Sequence, residues 1–408
     1  MADRVAITAP TFWGPPRAKF FEESDQIYDH PIPIDEEGCL GRFLRTAQTI
    51  DGDFDIVLVS ASSSTEWTKE VDRRIKEDVE ENAGDYGCYI LTYDRARRLI
   101  DYVEANGSSE LLEPLSMYGY SEVRNMCMVA CHILGYEVAI SSDDDVVFDD
   151  PEYLDKATEY INTTVEETQE EAKVVCGPYY TEEGTINYAS RPPAWMAYWN
   201  NAEAMNEAFD RYIFGDPRLK ETSYVVMGNI VLHRDFFSTV PLDPDCHRGE
   251  DMDWLINSRM FGYRFYMDRD LRVQHQPPPR GFPLWKLVRL DIDRFLYDRE
   301  KVRRMEEELD IPADYFEPWP GEFLKPDLEE RIYRTNMMLA NKYLADDEPE
   351  HARGCMDNIF YGRHEYEPGD PYANMQSFQA RWEKLMDFIA ANRGEICQLV
   401  FDRDPVSG

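Results

Sequence analysis

The fold is organised around Ile140-Ser141-Ser142-Asp143-Asp144-Asp145-Val146-Val147-Phe148-Asp149-Asp150-Pro151. Val138 to Ile140 reads as the end of a buried strand, and three adjacent carboxylates follow where the chain turns toward Pro151 and a helix. Carboxylates packed this densely repel one another and need water, basic side chains or a divalent cation. Oxygen donors of this kind suit Mg2+ or Mn2+. Residues two apart turn to one side of an extended chain, so Asp143 and Asp145 can share one ion. Alone, the run reads equally well as a solvated acidic turn.

The flanking sequence supplies the context. Val123 to Leu134 is apolar nearly all round and stops at Gly135, which predicts a buried helix feeding the central strand. Arg4 to Thr8 reads as a first strand ending at Ala9-Pro10-Thr11. Ile56 to Val59 is a continuous apolar run, typical of a parallel strand covered on both faces, and opens into Ser60-Ala61-Ser62-Ser63-Ser64. Helical spacing recurs over 39–50, 66–82 and 93–105. This alternation predicts an α/β fold, a mostly parallel sheet flanked by helices, with ligands beyond the carboxyl ends of the strands where the Asp run lies. Further on, Gly228-Asn229 interrupts an apolar segment where backbone can approach a ligand, and Gly249-Glu250-Asp251 opens a helix. The Pro-rich stretch from Gln276 to Pro283 breaks regular structure and is a candidate lid. Long charged helices follow over 284–309, 328–344 and 375–400, with a domain boundary near residue 282.

Composition narrows the class. The 408 residues carry a net charge of −37, spread along the chain, and only 11 of the 43 basic residues are lysine. Dispersed acid with scarce lysine predicts a protein kept soluble in concentrated salt, in a halophilic cytoplasm. No basic stripe is present, so nucleic acid is not an expected partner. There is neither a signal-peptide pattern nor a transmembrane segment. Eight cysteines without a CxxC pair fit reduced thiols.

The order of Pro10-Thr11, Arg124-Asn125, the Asp triplet, Gly249-Glu250-Asp251, Gly262-Tyr263 and His275 resembles glycosyltransferase family 2, whose members are GT-A-fold nucleotide-sugar enzymes. The resemblance spans roughly residues 4–280. It implies a catalytic domain over 1–282, with a Rossmann-like nucleotide-sugar-binding half (1–151) and an acceptor half (152–282), followed by a helical C-terminal extension (283–408). The implied reaction moves a sugar from a nucleoside-diphosphate donor to a sugar, lipid-linked or small-molecule acceptor. Asp143, Asp145 and His275 would hold Mn2+ or Mg2+, with Asp144 near the ribose or the ion. Pro10, Thr11, Arg124 and Asn125 would face the donor. Asp251, with Glu250 beside it, would take the acceptor's proton in an inverting enzyme. The serine run stands where the family carries acidic residues that meet the nucleotide base, which leaves the donor open.

Trp195, Trp199 and Gly228 lie where an acceptor would enter, and sugar faces stack on aromatic rings. A core-facing aromatic stripe explains the tryptophans equally well. The helix dipole is expected to lower the carboxyl pKa values at Glu250 and Asp251. A retaining small-acid glycosyltransferase like mannosylglycerate synthase, a nucleotidyltransferase and a non-catalytic scaffold are the competing functions.

Overall fold

The computed structural model describes residues 4–20, 28, 31–186, 188–278 and 283–405. Its strands are β1 (Val5–Gly14), β2 (Ile32–Pro33), β3 (Phe54–Ser62), β4 (Cys88–Leu91), β5 (Val138–Ser142), β6 (Val146–Val147), β7 (Val174–Cys176), β8 (Tyr179–Tyr180), β9 (Leu219–Glu221), β10 (Asn229–His233), β11 (Tyr266–Asp268) and β12 (Val273–His275). The main helices are α1 (Leu40–Ala47), α2 (Thr68–Asn82), α3 (Tyr93–Asn106), α4 (Tyr120–Leu134), α5 (Tyr153–Glu159) and α6 (Glu250–Met260). They continue with α7 (Leu284–Leu309), α8 (Leu328–Ala345), α9 (Pro349–Phe360), α10 (Pro371–Ala391) and α11 (Arg393–Phe401).

The central sheet runs β4-β3-β1-β5-β10-β7-β11-β9, with β2 alongside β1. It is parallel from β4 through β5 and again between β7 and β11, while β10 and the edge strand β9 run antiparallel. The α/β fold with a mostly parallel, helix-flanked sheet is therefore as the sequence predicts. Alternate residues of β1 and β3 serve opposite faces, as a period of two requires. Ile7, Ile56 and Leu58 pack against α1 and α2, whereas Ala6, Val57 and Val59 pack against α3 and α4.

β1 does not end at Thr8. Its residues through Trp13 pair with β3, although β5 accompanies it only as far as Thr8. Pro10 thus sits where β1 is paired on one side, a position that tolerates a residue with no N–H.

The C-terminal helices close the α4 face. Trp382 of α10 is fully buried and donates through Nε1 to the Phe237 carbonyl at 3.0 Å, and His132 of α4 meets the Met386 carbonyl at 3.0 Å. Burial pushes the His132 pKa down to about 4, so the ring is neutral and its place beside Cys127 and Cys131 is in the core. The long last helix expected over 375–400 is two, α10 and α11, divided at Asn392, whose side-chain amide donates to the Phe388 carbonyl at 2.8 Å. α9 lies in a charged stretch that the sequence pattern left without an element. The boundary expected near 282, and residues 279–282 of the candidate lid, fall outside the described residues. All eight cysteines are free. Among the described residues no helix is long and apolar enough to cross a membrane.

Candidate active site

The site forms at the rim where β5, β7 and β10 end or begin side by side. Asn229 pairs with Ser142 across β10 and β5, and Ile230 with Cys176 across β10 and β7. That register brings three features together: the Asp run after β5, Gly228 before β10, and Tyr179 just beyond β7. After the Asp turn, β6 pairs with β12 so that Val146 faces His275, carrying the histidine back to the carboxylates.

Asp143 is held from two sides. Arg124 Nη2 donates to its Oδ1 at 2.7 Å, and the Tyr179 hydroxyl donates to its Oδ2 at 2.8 Å. Tyr179 in turn accepts from the Gly228 N–H at 2.7 Å. A Cβ at Gly228 would overlap both the Tyr179 hydroxyl and the Asp143 carboxylate. The close backbone approach expected at this glycine is therefore made by the protein's own Tyr179 and Asp143. Burial opposes ionisation of Asp143, but Arg124 outweighs it and holds the pKa below the usual carboxylate range.

Asp145 faces the other way, with Oδ2 3.4 Å from His275 Nε2 and Oδ1 buried with no hydrogen-bond partner among the described residues. The His275 ring stacks on Tyr179 at 4.3 Å between centroids, 19° from parallel. Asp144 lies between its neighbours and interacts with the Thr11 hydroxyl; burial, then the charge of Asp145, pushes it up to about 8. A divalent cation would reverse that shift. The donor set fits such an ion: an orphaned buried carboxylate oxygen beside an imidazole nitrogen is oxygen-and-nitrogen chemistry suited to Mn2+ or Mg2+. Both oxygens of Asp143 already accept a hydrogen bond, Oδ1 from Arg124 and Oδ2 from Tyr179. Among the described residues, three ligand groups meet within 4.8 Å only at Cys246, Asp253 and Asp298, where the buried Lys301 ammonium already supplies the cation.

Arg124 joins this half to the next. Its Nε lies 3.3 Å from Glu250 Oε1, and its Nη1 is buried without a partner among the described residues. Burial works against the guanidinium charge, but Asp143 and Glu250 more than restore it. Glu250 and Asp251 open α6 after Gly249, which adopts a left-handed φ of 75° with its α-carbon against the Arg294 side chain. At Asp251 the expected dipole effect loses. Burial, and then the charge of Glu250, push its pKa up to about 7.

A cavity of about 630 Å³ connects these groups. Arg124, Asp143, Asp144, Asp145, Glu250, Asp251 and His275 all line it, as does Trp199. Other residues singled out in the sequence sit behind the wall. Asn125 is fully buried and braces Leu242, donating to its carbonyl at 2.8 Å and accepting from its N–H at 2.9 Å. Pro10 lies within β1, and Thr11 reaches the site through Asp144. Trp195 packs against the core. Trp199 is buried with its indole N–H 3.2 Å from Asp291 and its ring against Phe295 and Phe323. It serves the core and the cavity wall at once.

Sequence reasoning missed Tyr179 and the whole contribution of α7. Leu284, Leu287, Val288, Asp291 and Arg294 all line the cavity at spacings of three and four. That spacing is the signal which could have identified them as one helix face.

No protein-family model matches the chain, and no curated protein matches it. Among solved structures, a mannosyltransferase from Pyrobaculum calidifontis in complex with GDP-Man and Mn2+ aligns at 13% identity over 96% of this chain and 88% of its own, with a TM-score of 0.43. A mycobacterial protein aligns at 13% identity over 76% of each chain, with a TM-score of 0.40. Likenesses this remote assign neither family nor activity to the chain, and its function has to be read from its own side chains.

Proposed function

We propose that the chain is a glycosyltransferase that moves a sugar from a nucleoside-diphosphate donor to an acceptor hydroxyl with inversion. The observation that carries this reading is the meeting, around one cavity, of Arg124 and the Asp run from one part of the chain with the Glu250-Asp251 pair and His275 from another part, beyond residue 249. Residues 1–282 would form the catalytic domain and 283–408 an extension that completes its acceptor side.

Asp145 and His275 would hold Mn2+ or Mg2+, with Asp143 beside them fixed by Arg124 and Tyr179. Bound there, the cation would offset charge building on the departing diphosphate. The unpartnered Arg124 Nη1 is a donor already charged and buried, suited to a phosphate oxygen. Asp144 and Thr11 would lie toward the donor sugar or ribose. Asp251 is the base: with its pKa near 7 it can take the acceptor's proton at neutral pH and hold it. The acceptor oxygen bonds to the anomeric carbon as that carbon's bond to the diphosphate oxygen breaks. The proton ends on the Asp251 carboxylate and the nucleoside diphosphate leaves.

The test is release of UDP or GDP from a panel of their sugar conjugates with Mn2+ present. Asp251→Asn is expected to lower kcat by roughly 10²–10⁴-fold while leaving donor affinity intact. Undiminished turnover in that variant would remove Asp251 from the chemistry, and an NMR spectrum of product with the donor's anomeric configuration retained would overturn inversion.

A further inference from the structure

Glu250 and Asp251 stand at a chemical divide. On one side Arg124 leads to the carboxylates and His275. On the other, Gly249 backs onto Arg294, whose guanidinium lies 5.2 Å from the Trp319 ring centroid and pairs with Asp291 at 2.8 Å. Asp251 belongs to that second side, close enough to Arg294 and Tyr224 for their electrostatics to couple. Apolar side chains make up most of the wall here, although Ser190, Arg191 and Asn201 also line the cavity. α7 presents Leu284, Leu287 and Val288 to the cavity, and Val225, Val226 and Trp319 also line it. Four methionines, Met196, Met205, Met227 and Met252, line it as well, and unbranched thioethers adapt to irregular apolar shapes.

Resting on the transferase reading above, we infer that the acceptor is an amphiphile, a hydroxyl carried on an alkyl or aryl body, and that α7 selects it. A free sugar presents polar groups around most of its surface and would set many of them against these methionines and leucines, where burial without a partner is costly. Arg294 is paired with Asp291, while Arg191 on the same cavity lining is a cation that a hydroxy acid's carboxylate can meet, so the glycerate arm of the test decides between that acid and an amphiphile. An alkyl or aryl body removes apolar wall from water and holds its hydroxyl at Asp251.

The test titrates the full-length protein, without nucleotide, with n-octyl β-glucoside below its micelle-forming concentration, phenyl β-glucoside, free glucose and glycerate. Tryptophan fluorescence and calorimetry report binding. One or both glucosides are expected to bind at least about tenfold more tightly than glucose or glycerate, the order of effect of a few buried methylenes. The octyl and phenyl arms distinguish an alkyl from an aryl body. Leu287→Gln and the milder Leu287→Ala should each weaken glucoside binding while leaving circular dichroism and UDP or GDP affinity unchanged. Glucose or glycerate binding as tightly as the glucosides would overturn the inference, as would indifference to both Leu287 variants. Nucleotide binding without glucoside preference removes this inference alone. Glucoside binding without nucleotide binding leaves an amphiphile pocket and removes its use as an acceptor site.

Discussion

Arg124 ties the two chemical halves of the site together, since one guanidinium touches Asp143 and Glu250 and keeps a donor unspent. The carboxylates around it are sorted by their surroundings. Asp143 stays ionised against its burial, whereas Asp251, next to Glu250, rises to about 7. With Asp251 as the base, kcat/KM should climb as pH rises through about 7 and level off above it, because only the ionised carboxylate accepts a proton. A flat profile from pH 6 to 8 in a steady-state assay would contradict that assignment. The Asp run, His275 and Glu250-Asp251 were legible in sequence as residue types in order. The partition among them was not. That Asp143 is engaged by Arg124 and Tyr179 while Asp145 turns to His275 depends on strand register, and Tyr179 follows Gly177-Pro178 with no periodic pattern to single it out.

Among the elements, α6 and α7 share a buried charge cluster. Lys301 of α7 is fully buried and donates to Asp243 at 2.7 Å and to Asn257 at 2.9 Å, and it also pairs with Asp253 in the first turn of α6. Asp298 lies beside them, raised well above the usual carboxylate range by burial and by Asp253. The cluster clamps α7 against the helix that carries Glu250 and Asp251. Removing the one ammonium leaves buried carboxylates uncompensated, so Lys301→Met should destabilise the fold by roughly 3–5 kcal/mol in a urea titration. A midpoint equal to wild type would show that α7 is held by its apolar face alone. The sequence predicts α7 to its observed ends, because its apolar spacing is regular over many turns. The carboxylates that its lysine meets lie about fifty residues earlier, where no local pattern points to them.

At the scale of the whole molecule, the chain carries −37 of net charge on a sheet whose α4 face is sealed by α10 and α11. Many acids are met by i,i+3 or i,i+4 arginines and lysines on exposed helix surfaces, such as Arg303 with Glu300 and Glu307, or Arg334 with Glu330. Such pairs contribute little each, and the unpaired excess repels itself. Screening therefore favours the folded state, and the melting temperature should rise steadily as KCl increases from about 0.1 M to several molar, where the Debye length is only about 3 Å or less. A melting temperature independent of salt would remove the halophilic reading. The α/β alternation was legible because each strand and helix carries its own hydrophobic period. The packing of the C-terminal helices onto α4 was not, since an all-round apolar helix announces burial without naming its partner.

Whether the carboxylate–His275 rim binds a nucleoside diphosphate through a metal is decided by calorimetric titration of UDP and GDP into the protein in concentrated KCl, with and without Mn2+. One nucleotide is expected to bind tightly only when Mn2+ is present, and Asp145→Asn, which alters the carboxylate whose Oδ1 is unpartnered beside His275, is expected to weaken that binding by about tenfold or more with the fold intact. Absence of nucleotide binding under every metal condition, or binding indifferent to both Mn2+ and Asp145→Asn, would contradict that expectation.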